Sequence, residues 1–580
     1  MQAQSKYRWT VAPAQPVLAQ HLAARLGVSQ LLAQCLLNRG HSEPESIVRF
    51  LEPRLKHLAD PFLLPNIAPA VDRLFAARER REPLVIFGDY DVDGVTATAL
   101  LVEALRRLGW DVDYYLPHRM EEGYGLSRVA VENCLKRFER KLLLAVDCGS
   151  TAVETIAFLQ GRGIVVIVLD HHQVCDPGPA AVAIVNPQLA PEGAPSFREL
   201  CSVGLAFKLV HAVLKRGREM GQQAFFEFDL KPFLDLVALG TIADIVPLCG
   251  ENRILVSRGL YELNHTARPG LVALRDVAKI GGRIGGYEVG FQLAPRLNAA
   301  GRLETALEAL QLLLTRDAGE ARHLAKQLDA HNRERQEIEK RMAKEVVARI
   351  RSRFEASRDF VIVEGDLSWH IGVVGIVASR VLQEFHRPTI IFGGDGEQWR
   401  GSGRSIDGFD LAAALRECSE LLLRHGGHAM AAGLAILPDN LESFRVRLND
   451  VACKLLHPEQ LRLSLRLDAQ VACGELTADR VRELERLQQT GIGNPPVHLC
   501  ALGVTHARPL YRFGADKKHV RITITDGTAM HDVIWWNGGN GNLPVGQFDI
   551  AFVPQLSQFN GESVVRLKFL DWRSASPKEA

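Results

Sequence analysis

The spacing of apolar residues changes several times along the chain, and each change marks a segment. Up to about residue 75, short helical patterns alternate with proline-containing breaks such as EPRLKHLADPFLLPN, which predicts a helical lead-in over 1–75. From about 83, unbroken apolar runs (PLVIFG, VDYYLP, KLLLAVDCG, GIVVIVLDHH, AAVAIVNP) alternate with helically spaced stretches such as VTATALLVEALRRLG. Buried strands alternating with helices predict an α/β fold, a doubly wound and mainly parallel sheet over 76–315, with 230–313 mostly helical. In AGEARHLAKQLDAHNRERQEIEKRMAKEVVARIRSRF, Leu324, Leu328, Ile338, Met342, Val346 and Ile350 form a thin apolar stripe on a charged helix. At 1.5 Å per residue this helix spans roughly 50 Å. It reads as a long connecting helix over 316–356 rather than a dimer seam. DFVIVEG, the helical VVGIVASRVLQEF and PTIIFGG predict a smaller α/β domain over 357–457. Beyond it, RLSLRLDAQV, HVRITITDG, MHDVIWW, FDIAFVP and SVVRLKFLDW are short strands separated by turns, which predicts a C-terminal β-barrel over 458–580. NGGNGN reads as a mobile hairpin tip.

Composition adds limits. A chain of 580 residues exceeds a single core, so several domains are expected. With 47% hydrophobic and 24% charged residues and a net charge of +1, it is ordinary globular material, and any nucleic-acid contact must come from local basic patches. None of the ten cysteines forms a C-x-x-C pair, which argues against a zinc knuckle and for free thiols in a reducing compartment. The N-terminus has no continuous apolar run and no stretch is long enough to span a bilayer, so a cytoplasmic protein without membrane contact is expected.

The candidate chemistry lies at the strand ends. LVIFGDYDVDGV leaves an apolar strand and at once places Asp89, Asp91 and Asp93 within five residues. Like charges that close need a cation, a donor network or open water. Asp147 ends LLLAVD, Asp170-His171-His172 ends VVIVLD, and Asp244 lies in LGTIADIVPL, a helix expected to break at Pro247. The carboxyl ends of strands are where open α/β sheets place ligands. Carboxylates with one or two imidazoles suit Mn²⁺ or Mg²⁺, and a carboxylate bridging two ions makes a two-metal hydrolytic centre. A calcium loop at 89–94 is disfavoured because the later bidentate Glu is missing and the loop follows a strand.

GDYDVDGVTATAL, VDCGS, LDHH and ADIVP resemble the four motifs of the DHH phosphoesterases. PRLNAAGR (295–302), WHIGVVGIVASR (369–380), GSGRS (401–405) and HGGHAMAAG (425–433) are similar to the DHHA1-like second domain of that family. The tail after TGIGNPP resembles an OB-fold, and the order of parts is that of its single-stranded-DNA exonucleases. The resemblance implies that Asp91 and Asp147, helped by Asp89, hold one ion, and that Asp93, Asp147, His171 and Asp244 hold the other. Asp147 is then the bridge and His172 faces the scissile phosphate. It also implies a grip on the DNA 5′-phosphate by Arg302, Ser402 and Arg404, with His428 near the substrate and Arg296 and Asn298 either substrate-binding or structural. Two positions depart from the family. Phe87 stands where many members carry a ligand His, which predicts a looser first site, and His425 stands where Gly is frequent. In the barrel, Tyr511, Phe513 and Trp535 with Lys517, Lys518 and Arg521 are candidates for base stacking and phosphate contact.

The expectation is therefore a two-metal 5′→3′ exonuclease that degrades single-stranded DNA to 5′-mononucleotides in recombination, mismatch repair and other DNA repair. It would act as a monomer beside a single-strand-binding protein and a repair helicase. Two other readings stay open at this point. One is a DHH hydrolase of oligoribonucleotides or cyclic dinucleotides, which needs no distant barrel. The other is a non-catalytic DNA-binding repair scaffold, whose mark would be lost metal ligands, although all six are present here.

Overall fold

The computed structural model describes residues 5–575 apart from 120, 124, 192–196, 395–397 and 560. The chain divides into two compact units, one of residues 48–335 with 489–495, the other of 1–47, 336–488 and 496–580. The expected helical lead-in opens instead on a strand, β1 (Arg8–Val11), which belongs to the second unit.

In the first unit, β2 (Leu84–Gly88), β3 (Val112–Tyr115), β4 (Leu142–Val146), β5 (Val165–Leu169) and β6 (Ala183–Val185) form an all-parallel sheet in the order β3-β2-β4-β5-β6. Every residue of β2 and β4 is buried, because both faces of the sheet are covered. The two-residue period sorts the side chains. Leu84, Ile86, Leu142 and Leu144 pack into one core, and Val85, Phe87, Leu143 and Ala145 into another. After β2 the chain crosses to β3 on one side of the sheet, and after β4 to β5 on the other. The carboxyl ends of β2 and β4 therefore frame the switch point, the crevice where doubly wound sheets bind ligands. The helices Val92–Arg107, Ser202–Glu219 and Leu234–Ala243 bury most of their residues over this end of the fold.

The helix Ala318–Arg351 is continuous over 34 residues. Leu324 and Leu328 join the core of the first unit, whereas Met342, Val346 and Ile350 join an apolar cluster with Val374, Val377 and Val381 of the second. The stripe is thus consumed within the chain.

The second unit holds β7 (Ile362–Asp366), β8 (Thr389–Gly394), β9 (Trp399–Arg404), β10 (Leu422–His428) and β11 (Ala431–Ile436) in the order β10-β11-β9-β8-β7. Only β7 and β8 run parallel in that sheet. β12 (Ser464–Leu467) pairs in parallel with β1, Arg8 opposite Ser464. The tail is a seven-stranded sheet of β13 (Ala469–Gln470), β14 (Leu499–His506), β15 (Tyr511–Phe513), β16 (His519–Thr525), β17 (Met530–Trp535), β18 (Phe548–Phe559) and β19 (Glu562–Ser574). Its order is β13-β14-β18-β19-β17-β16-β15, and β14 also pairs with β16 through Thr505–Thr525 and His506–Ile524. Those pairings run in a ring of five strands, the arrangement of a small, partly open barrel. NGGNGN is not a free tip. A Cβ at Gly538 or Gly541 would strike the Trp535 ring, and Gly539 N–H donates to Lys518 O at 3.0 Å, so the glycine loop is packed flat under the indole.

Candidate metal centre

Asp91 caps the helix Val92–Arg107, accepting from Asp93 N–H (2.9 Å) and Gly94 N–H (3.1 Å). This turn is tight enough that a Cβ on residue 94 would lie 2.7 Å from Asp89 O, so only glycine fits. Asp147 leaves β4 in the left-handed region (φ 63°), an uncommon conformation for a residue with a side chain and one that collects at functional sites. The helix carrying Asp244 ends at Ala243, with Asp244 as its cap and Ile245 at φ 62°. The break thus falls ahead of Pro247, where Ile245 in the left-handed region turns the chain out of the helix.

These turns bring the four motifs together. His171 Nε2 lies 3.5 Å from Asp147 Oδ1, 3.6 Å from Asp244 Oδ2 and 3.9 Å from Asp93 Oδ2. One oxygen each from Asp89, Asp91 and Asp147 lies within 4.8 Å of the others, as do single ligand atoms of Asp147, His171 and His172. Asp147 belongs to both groups, the position a bridging carboxylate would take. Asp89 Oδ1, Asp147 Oδ2 and Asp244 Oδ2 are buried without a hydrogen-bond partner. Buried carboxylate oxygens left that way are costly, and a cation is the group that would satisfy them together.

The charges agree. Burial, then the neighbouring Asp91 charge, pushes Asp89 up to about 8 and Asp93 up to about 7. Burial, then Asp93, pushes Asp244 up to about 9, and Asp147 is likewise held well above the usual carboxylate range. His172 behaves oppositely. Burial disfavours its charged ring, but the Asp170 hydrogen bond (Nδ1–Oδ1, 2.8 Å) and charge overcome this and lift it to about 9. Asp170 is itself held well below its ordinary value. Burial opposes ionisation there, but the His172 bond and a 3.0 Å donation from Ser150 N–H outweigh it. The Asp170 contact thus favours the protonated ring of His172 beside a cluster of carboxyls. Carboxyl-rich donors with one imidazole fit hard divalent ions such as Mn²⁺ or Mg²⁺.

Several functional neighbours escaped the sequence reading. Asp93 accepts from the N–H groups of Ser202 (2.7 Å) and Val203 (2.8 Å), the first turn of the helix Ser202–Glu219, where the helix dipole favours an anion. Ser202 Oγ donates to Asp147 Oδ1 at 2.9 Å. Cys201 Sγ stands within 4.8 Å of Asp93 and Asp244 ligand atoms, but burial keeps its thiol protonated and it donates to Thr241 Oγ1. Asn186 Nδ2 ties Ser150 Oγ to His172 O. Asp170 was visible as part of LDHH but carried no assigned role. Phe87 is fully buried and stacks on Tyr115 at 5.5 Å, so that position belongs to an apolar layer of the sheet.

Residues 83–241 match the DHH family N-terminal domain, 358–453 the DHHA1 domain and 467–571 the RecJ OB domain. The single-stranded-DNA-specific exonuclease RecJ of Dickeya dadantii is 36% identical over 576 residues, 95% of each chain. That of Escherichia coli K12 is 36% identical over 87% of this chain and 89% of its own. RecJ from Thermus thermophilus, solved in complex with Mn²⁺, superposes with a TM-score of 0.84 at 30% identity, covering 99% of this chain and 80% of that one. The chain belongs to the RecJ family. The Thermus RecJ has also been solved with Mg²⁺, at a TM-score of 0.78, and both ions fit the oxygen-rich donor set described above.

The other candidate substrate-binding residues are divided between the two units. Arg302 lies on the helix Ala294–Leu303 of the first unit, near enough for its charge to act on Tyr90 next to Asp89. Arg119, unexpected from the sequence, sits over the Tyr90 ring at 5.1 Å. Arg296 donates to Asp329 Oδ1 (3.0 Å) and Gln292 O (2.6 Å), an engagement that anchors its helix to the long one, and Asn298 is half-buried on the same helix. Ser402, Arg404 and His428 belong to the second unit. Arg404 donates to Ser402 Oγ at 2.9 Å, and a Cβ at Gly375, in the first turn of the helix Val374–Phe385, would lie 3.0 Å from both side chains. A helix N-terminus, a hydroxyl and a guanidinium together form an anion cradle. His428 pairs with Ala431, which pairs with Arg404, so the three share one face of the sheet; His425 is half-exposed further along β10.

On the barrel, Tyr511 and Phe513 stack at 6.4 Å, Arg521 lies over Tyr511 at 4.9 Å, and Lys517 and Lys518 are exposed nearby on the chain. Trp535 does not offer a free ring face. Its ring is stacked on Phe569 at 4.1 Å and floored by the glycine loop, so its faces are taken internally. The exposed indole is that of its neighbour Trp536, which meets Phe513 at 5.9 Å and His519 at 4.8 Å.

Proposed function

We propose that this chain is a metal-dependent exonuclease that degrades single-stranded DNA from its 5′ end and releases 5′-mononucleotides. The observation that carries it is the convergence of Asp89, Asp91, Asp93, Asp147, His171 and Asp244 at the switch point, with three buried carboxylate oxygens left without a hydrogen-bond partner. Asp89, Asp91 and Asp147 would hold one divalent ion, and Asp93, Asp147, His171 and Asp244 the other. When bound, the ion pair supplies an activated water and charge neutralisation for in-line attack on a phosphodiester. The chain's own residues supply the rest. Ser202 and the helix start behind it fix the Asp93 and Asp147 carboxylates. Asp170 holds His172 as a cation suited to the scissile phosphate. Ser402 with Arg404 at a helix N-terminus suit a terminal phosphate, which would make the 5′ end the entry point, and Arg302 beside Tyr90 suits a phosphate as well.

The barrel with its exposed aromatics favours a long strand over a dinucleotide, and the intact ligand set favours an enzyme over a scaffold. The activity belongs to DNA recombination and repair, mismatch repair included, in the cytoplasm, with a helicase supplying the single strand and a single-strand-binding protein coating it. Among the described residues no helix is long and apolar enough to cross a membrane. The test is degradation of a long single strand and the matching duplex in Mn²⁺ and in EDTA. The reading expects loss of the single strand alone and only with metal; equal attack on the duplex, or activity in EDTA, would overturn it.

A further inference from the structure

A cavity of about 420 Å³ opens on the barrel, within the roughly 300–1,000 Å³ of small-ligand sites. Its floor is the Trp535–Phe569 stack, 4.1 Å between ring centres and 20° between planes, formed because β17 and β19 run parallel in register. The exposed Trp536 and Tyr7 also line it. Tyr7 comes from the opposite end of the chain. β1 is strapped to β12, and the buried Asp571 carboxylate accepts from Tyr7 N–H (3.4 Å), Trp9 Nε1–H (2.8 Å) and the Ser5 hydroxyl. Those donors satisfy Asp571, so it does not set an open negative charge against a ligand. The remaining charges are Lys6, whose ammonium lies 5.4 Å from the Tyr7 ring, and Lys568, both exposed at the rim. Aromatic walls with two ammonium groups match a planar neutral ring carrying phosphates, the chemistry of a nucleobase pulled out of its stack. A duplex keeps its bases stacked and cannot offer one.

We propose that the amino-terminal segment Ser5–Val11 completes a nucleobase pocket on the barrel, in which one base of a single strand packs against Tyr7 and Trp536 over Phe569 while Lys6 and Lys568 meet the flanking phosphates. This rests on the single-strand reading above and adds a site that lies beside, and is joined through Trp536 to, the Tyr511–Phe513 face.

The test is fluorescence anisotropy in EDTA, with the full chain, on labelled oligo-dT of about 16 nucleotides and on an abasic strand of the same length. Tyr7→Ala should weaken binding to oligo-dT about 5- to 150-fold and leave the abasic strand unchanged. Tyr7→Phe should restore it. Lys568→Glu, at an exposed position, should weaken both strands, and it keeps the test decisive if Tyr7→Ala loosens the segment. If the unaltered chain binds oligo-dT and both variants bind it equally well, the pocket is overturned and the exonuclease reading stands. An unaltered chain with no affinity for oligo-dT would overturn both.

Discussion

Replacing Asp244 by Asn should make the metal-free protein more stable while destroying its response to metal. Asp244 lies within 3.6 Å of His171 and is pushed up to about 9 by burial and then by Asp93, from an ordinary 3.8. A carboxyl raised in this way contributes stability below pH 3.8 that is lost as the pH rises toward 9. At pH 7 the folded chain takes up a proton that the unfolded chain has released, which costs at most about 4 kcal/mol. Asp89, Asp93 and Asp147 crowd the same site and titrate together with Asp244, so only part of that cost belongs to Asp244 and the gain from Asn is about 1–2 kcal/mol. That corresponds to about 2–6 °C in the melting temperature of the unit that carries the site. Unaltered protein should instead gain from Mn²⁺, about 2.7 kcal/mol at one hundred times the dissociation constant, and the Asn variant should lose most of this. The assay is a pair of thermal melts, in EDTA and in Mn²⁺, on both proteins. An Asn variant that melts lower in EDTA and keeps the full Mn²⁺ shift would refute the claim that these carboxylates are gathered for a cation.

Three further outcomes follow from the same geometry. Ser202→Ala removes the hydroxyl that steadies Asp147 and should weaken Mn²⁺ binding by about 1–2 kcal/mol, read by calorimetric titration, with little change in DNA binding. Arg404→Ala takes away the guanidinium beside Ser402 that would make a charge-assisted contact with a 5′-phosphate, and should reduce the preference for a 5′-phosphorylated over a 5′-hydroxyl strand by about 1.5–3 kcal/mol; an unchanged ratio of cleavage rates would place the terminal-phosphate site elsewhere. His211 is held down to about 4 by burial and then by Lys208, so stability present above its ordinary 6.5 should be lost as the pH falls toward 4, and His211→Gln should flatten that part of a denaturation profile.

The strands of the first unit were readable because each is buried on both faces and so appears as an unbroken apolar run, with its acidic residue just beyond. That is enough to place Asp89, Asp147 and His171 at one edge of a sheet. It says nothing of Ser202, whose partner Asp93 is 109 residues away and which looks like any serine opening a helix. β1 was missed for a related reason. RWTV is mostly exposed, shows no alternation, and becomes a strand only against β12. Trp535 and Trp536 are indistinguishable by type, and the register of β17 against β19, together with the loop glycines, decides which of them is packed between Phe569 and the loop. The helix end at Asp244 depended on a strained Ile245 that residue propensity disfavours, and such a site is formed by tertiary packing.

The most direct test of the central claim is the time course of product release from a single strand carrying a label in its 5′-terminal nucleotide, with Mn²⁺ present, for the unaltered chain and for Asp147→Ala. Labelled mononucleotide should appear first and without a lag from the unaltered chain. Asp147→Ala should release none on the same timescale while still binding the strand, because the substitution would remove the carboxylate that belongs to both candidate ligand groups. Release by Asp147→Ala within roughly tenfold of the unaltered rate, or labelled products that begin as long fragments, would contradict the account.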